Sequence, residues 1–151
     1  MLLKFNFGDE QYTASTEELF TINADNPEAL AYDLQQNPSL TFFWGFLAEK
    51  AAIKLEKLEN DFEVWYSIHY EKAREKLMND ESIPNSKISE SMIKNVVICD
   101  NLDDWNKWKN EISKWTYYKK MLSRIEARLK HKSDVLINLL SYYKMHMEEQ
   151  R

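Results

Sequence analysis

Residues 105–148 read WNKWKNEISKWTYYKKMLSRIEARLKHKSDVLINLLSYYKMHME and contain neither glycine nor proline. Trp108, Ile112, Trp115, Leu122, Ile125, Leu129, Leu136, Leu139 and Tyr143 recur at helical spacing through this stretch. An apolar row of that period, with no breaker, predicts one long amphipathic helix. At 1.5 Å per residue such a helix spans on the order of 50 Å or more.

Upstream lies a matching pattern. Trp44, Leu47, Ala51, Leu55, Leu58, Phe62, Trp65, His69, Ala73 and Leu77 alternate spacings of three and four, which predicts a second coiled-coil-like seam. Ser39 is its expected cap, and Asn79-Asp80-Glu81 before Pro84 is its expected end. A shorter helix between the two carries Ile88, Met92, Ile93, Val96 and Val97, with Ser86 as its expected cap and a break at Asp100–Asp104. At the N-terminus Leu3, Phe5 and Phe7 alternate with Lys4 and Asn6, as a half-buried strand does. Gln11–Ala14 is the expected return strand, and Leu19–Ile22 a third short one. Asn26 caps a short helix beginning at Pro27, and Asn37-Pro38 is expected to stop it. The expected fold is mainly α. It is a long helical hairpin with a shorter middle helix, a small N-terminal β element and oligomeric coiled-coil-like packing. Residues 1–38 are expected to form the β element plus short helix, and 39–151 the helical domain that oligomerises. A lone hairpin would leave too much apolar surface exposed, so self-association is expected.

Charge is segregated along the chain. Residues 1–104 carry nine Lys/Arg against twenty Asp/Glu, whereas residues 105–132 carry nine against two. A net charge of −5 therefore conceals a cationic segment of +7. On a helix, Lys109, Lys120, Arg124 and Lys130 lie broadly opposite the apolar seam, with Lys107, Lys114 and Arg128 along one edge. A cationic stripe of this kind follows a phosphate backbone, and neighbouring aromatic rings stack on unpaired bases. Tyr117 is the stacking candidate on that side, while Trp105, Trp108 and Trp115 fall on the seam and belong to the core. The alternative is that the stripe pairs with the chain's own acidic helix at residues 49–75. A second cluster, Trp65, Tyr66, His69, Tyr70, Lys72, Arg74 and Lys76, ends the first long helix.

Other chemistry has little support. Cys99 is the single cysteine and, within Val96-Val97-Ile98-Cys99, reads as a buried thiol. His69, His131 and His146 form no metal-ligand pair, and two glycines leave no room for a phosphate loop or nucleophile elbow. The chain reads as a non-enzyme with no metal or cofactor. No signal-peptide pattern and no membrane-length apolar run stand in the sequence, so a cytoplasmic protein is expected.

The order of parts resembles the UvsY-type phage recombination mediators over roughly residues 40–147. The resemblance rests on the Ile53–Leu58 stretch (Ile-Lys-x-Glu-x-Leu) and on a first helix ending near a Tyr/Lys/Arg cluster. It continues through Ser91-Met92, Lys94 and Val96 in a shorter helix closing at Asp100, then a tryptophan-led long helix and the stretch Leu129–Leu139. The first 38 residues look like the added β element of larger phage relatives. The resemblance implies a hexameric or heptameric ring that binds single-stranded DNA without catalysis. It also implies partners: a RecA-type recombinase, loaded in place of single-strand-binding protein in the bacterial host cytoplasm. The family's Leu-Lys-x-Arg motif corresponds here to Glu71-Lys72-Ala73-Arg74, so Lys72 and Arg74 keep their spacing and Glu71 replaces the leucine. The expected DNA-binding residues are therefore Lys72, Arg74, Lys109, Tyr117, Lys120, Arg124, Arg128 and Lys130. Two rivals remain at this level. One is a structural or assembly adaptor indifferent to DNA. The other is an inhibitor or DNA mimic acting through Glu56, Glu59 and Glu63.

Overall fold

Gly8 adopts φ +63°, a left-handed conformation that favours glycine. With Asp9 it closes a two-residue hairpin turn of the kind that needs positive φ at its first central residue. The strands on either side are β1 (Leu2–Phe7) and β2 (Glu10–Ser15), antiparallel with Phe7 opposite Glu10 and Leu3 opposite Ala14. Leu3 and Phe5 of β1 are buried and Lys4 and Asn6 are exposed, so the alternation expected from the sequence holds.

The computed structural model describes all 151 residues, 79% of them helical. After β2 come α1 (Thr16–Phe20), α2 (Pro27–Met78), a 3-10 turn (Asn85–Lys87), α3 (Glu90–Asp100) and α4 (Leu102–Glu149). No third strand forms. Ser15 Oγ accepts from the Glu18 amide, and Glu17 and Glu18 occupy the positive end, so Leu19 and Phe20 complete a single helical turn instead. The cap of α3 is Ser89, which accepts from the Met92 amide, not Ser86, which lies in the 3-10 turn. Asn26 caps α2 as expected, its Oδ1 accepting from the Ala29 amide at 2.7 Å.

The largest departure is at Asn37-Pro38. No break occurs there, and α2 runs unbroken for 52 residues with Pro38 inside it. Proline removes one amide donor and crowds the preceding turn, so local preference favours a stop. Tertiary bonding overrides it. Asn37 is 1% exposed, and its Nδ2 donates to the Leu129 carbonyl and to Ser133 Oγ, both at 2.6 Å. Ser39 is thus an interior helical residue. Since Pro38 itself is exposed, Pro38→Ala removes the backbone penalty without removing packing. Urea unfolding should show a gain of up to about 3 kcal/mol, and a loss would mean that the proline shapes the helix productively.

The chain divides into two compact units, and both long helices contribute to each. The first comprises Met1–Lys50 and Tyr118–Arg151. Here Phe5, fully buried, meets Trp44 and Tyr118 edge-on with ring centroids 6.2 and 5.3 Å away. The Asn6 amide donates to the Tyr118 hydroxyl at 3.1 Å, which ties the hairpin to α4. Leu30, Leu47, Leu122, Leu129 and Leu136 are buried to 1% exposure or less. The second unit is Ala51–Tyr117. Its core joins Ala73 and Leu77 of α2 to Ile93 and Val97 of α3. Phe62 and Trp65 of α2 meet Trp105 and Trp108 of α4, with ring centroids 5.5–6.4 Å apart. Every residue of the two expected seams is buried or half-buried. Cys99 is the exception to expectation and is exposed. Helix α3 buries Ile93 and Val97, and a residue two places further on lies about 200° around the helix.

Candidate nucleic-acid interface

Helix α4 turns its Leu122, Ile125, Leu129 and Leu136 face inward. Positions 120, 124 and 128 follow one another at single-turn spacing on its other side, so Lys120, Arg124 and Arg128 form a row, and all three are exposed. Neither Lys120 nor Arg128 makes an ion pair, and Arg124 Nη1 stands 3.9 Å from Met121 Sδ. His131 lies on the same side one turn later and borders a shallow depression with Arg124, Ala127 and Arg128. Tyr117, three residues before Lys120 on the same helix, is 49% exposed.

The remaining candidates are placed differently. Lys130 is on the opposite flank and pairs with Glu126 at 3.0 Å, one turn earlier. Glu126 lies over Gly45, where a Cβ would come within 2.8 Å of the carboxylate oxygen. Lys132, counted with the cationic segment, is only 8% exposed and donates to the Leu19 carbonyl at 3.0 Å. It closes the C-terminal end of α1 and adds nothing to a surface stripe. The sequence offers no direct sign of this, because a lysine two places past Lys130 reads as one more solvated charge.

In the second unit, Lys109 places its ammonium 4.5 Å from the Phe62 ring centroid and 4.8 Å from that of Trp105. This cation–π contact lays the exposed, still-charged ammonium over the aromatic cluster. Lys72 and Arg74, two residues apart on α2, project about 200° from one another and share no face. Arg74 approaches Glu71 at 3.9 Å, while Lys72 borders a small pocket with His69, Lys76 and Asp100. Lys76 of that pocket pairs with Asp100 at 2.8 Å. The structure therefore brings Lys120, Arg124 and Arg128 together on one side of α4, and places Lys130 on another flank of that helix and Lys72, Arg74 and Lys109 in the second unit.

Beside the arginines, Glu17 of α1 pairs with the N-terminal ammonium of Met1. That hydrogen bond, followed by one from the Glu17 backbone, lowers its carboxyl from the usual 4.5 to about 2. A lowered folded-state value adds stability above the ordinary carboxylate pKa, and the contribution vanishes as pH falls through about 2. Both groups are exposed, so water screens the pair. A carboxyl-carbon NMR titration should put the Glu17 midpoint near 2, and a midpoint near 4.5 would show that the ammonium does not hold it.

No group of three or more His, Cys, Asp or Glu side chains is arranged to hold a metal ion. No helix is long and apolar enough to cross a membrane. Comparison with protein-family models, with curated proteins and with solved structures finds no match to this chain.

Proposed function

We propose that this chain is a non-catalytic single-stranded DNA-binding protein that uses the Lys120/Arg124/Arg128 row of α4. The observation that carries the reading is three exposed cations at one-turn spacing, with no carboxylate paired to Lys120 or Arg128. Three charges bind weakly alone, and assembly of several copies raises avidity without new contacts. Exposed Phe42, Phe46, Ile53, Val64 and Ile68 along α2 support such assembly, because isolated chains leave them in water. In the fuller form of the proposal the protein acts in the cytoplasm of a phage-infected bacterium. It is a recombination mediator of UvsY type, a hexameric or heptameric ring that helps a RecA-type recombinase replace single-strand-binding protein.

The same exposed apolar residues also suit a structural adaptor that ignores DNA. Fluorescence anisotropy of a labelled oligo-dT, titrated from low to moderate salt beside a duplex of equal length, separates the two. Binding that favours the single strand and weakens steeply with salt supports the mediator. No binding at low salt overturns it in favour of the adaptor. Light scattering at micromolar concentration tests assembly, and a monomer there would remove the avidity argument.

A further inference from the structure

Arg124 and Arg128 of the row border an open cleft of about 470 Å³ in the first unit, lined by residues of β1, α1 and α4. That volume lies in the range of roughly 300–1,000 Å³ typical of small-molecule sites. Leu3, Phe20, Met121 and Ile125 supply apolar and aromatic lining, and Arg124 and Arg128 stand among its walls. Thr16 and Glu17 add polar atoms. Leu3 and Ile125 are buried core residues, whereas Phe20 and Met121 are half-buried, so the cleft has a packed floor and adjustable sides.

We propose that this cleft receives one unstacked base of single-stranded DNA, while Arg124 and Arg128 hold the phosphates on either side. The inference rests on the single-strand reading above and adds to it the place where a base is held. The chemistry of the cleft selects this ligand. A base offers a flat apolar face to Phe20 and the Met121 thioether, and its sugar-phosphate chain carries the negative charge that the two arginines attract. Because α1 supplies both Phe20 and Glu17, base capture depends on the helical turn that replaces the third strand expected from the sequence. The Glu17 carboxylate pairs with the Met1 ammonium and with neither arginine. A base in a duplex is stacked and paired and cannot enter, which gives single-strand preference without sequence preference.

The test compares oligo-dT with an abasic deoxyribose-phosphate oligomer of equal length and charge, by anisotropy at fixed salt. The intact protein should bind oligo-dT on the order of ten-fold more tightly, with the same salt slope for both. Phe20→Ala and Met121→Ala should each shrink that ratio towards one, with helicity checked by circular dichroism. The Met121 variant guards against loss of α1 in the Phe20 variant. Equal binding of the two oligomers overturns the base pocket and leaves the phosphate row standing. A ratio unchanged in both variants, or one lost only in Tyr117→Ala, places the base contact elsewhere and also overturns it. Absence of binding to either oligomer overturns the single-strand reading itself and this inference with it.

Discussion

Replacing Lys120, Arg124 and Arg128 together by alanine should weaken oligo-dT binding on the order of 10²-fold at about 50 mM salt. The magnitude follows from counterion release. Each phosphate neutralised on a single strand contributes about 0.7 to the slope of log K against log salt, so three lost contacts lower it by about 2. All three side chains are exposed, so the fold should survive and circular dichroism should be unchanged. Lys130→Ala provides the contrast. Its ammonium is paired with Glu126, so its removal should change affinity less than about three-fold and leave the slope nearly intact. An equal loss from Lys130→Ala would mean that the cationic surface wraps around both flanks of α4. An unchanged slope in the triple variant would exclude the row from DNA binding.

The second large effect concerns the core. Leu129→Ala should lower stability by about 3 kcal/mol, within the range of about 2–5 for a fully buried leucine. Leu129 is 0% exposed, and its carbonyl accepts from Asn37 Nδ2 at 2.6 Å. The substitution keeps the carbonyl, so the loss reads the side chain's packing and not the Asn37 bond. Ile137→Ala is the control on the same helix. Its side chain is 49% exposed, and its truncation should stay within about 0.5 kcal/mol. Urea denaturation at a common m-value measures both. Similar costs for the two variants would mean that the Leu129 face is not the packed one.

Together the two experiments separate the sides of α4. One reads the inward leucines through unfolding, and the other reads the outward cations through salt dependence. A variant that moved both readouts would show that the row is part of the packing.

The sequence by itself determined the helical class, the inward faces of both long helices and the N-terminal strand with its return at Gln11–Ala14. These are properties of spacing and backbone preference, and the seams from Trp44 to Leu77 and from Trp108 to Tyr143 name the face that turns inward whatever covers it. It also named Lys120, Arg124 and Arg128 among eight candidates, but it grouped Lys120 and Arg124 with Lys109 and Lys130 and set Arg128 on an edge with Lys107 and Lys114, whereas the one-turn row joins Arg128 to the first two. Tertiary structure decided the rest. Pro38 sits inside α2 because Asn37 finds partners 92 and 96 residues away, and no local rule contains them. Lys132 leaves the surface because the Leu19 carbonyl waits 113 residues upstream. Lys109 covers Phe62 and Trp105, and Cys99 falls on the outer side of α3, since only the packed partners define which side is outer. Local energies of about 1 kcal/mol choose helix, strand or turn when nothing opposes them. Where buried hydrogen bonds and packed rings of comparable or larger worth oppose them, long-range contacts prevail.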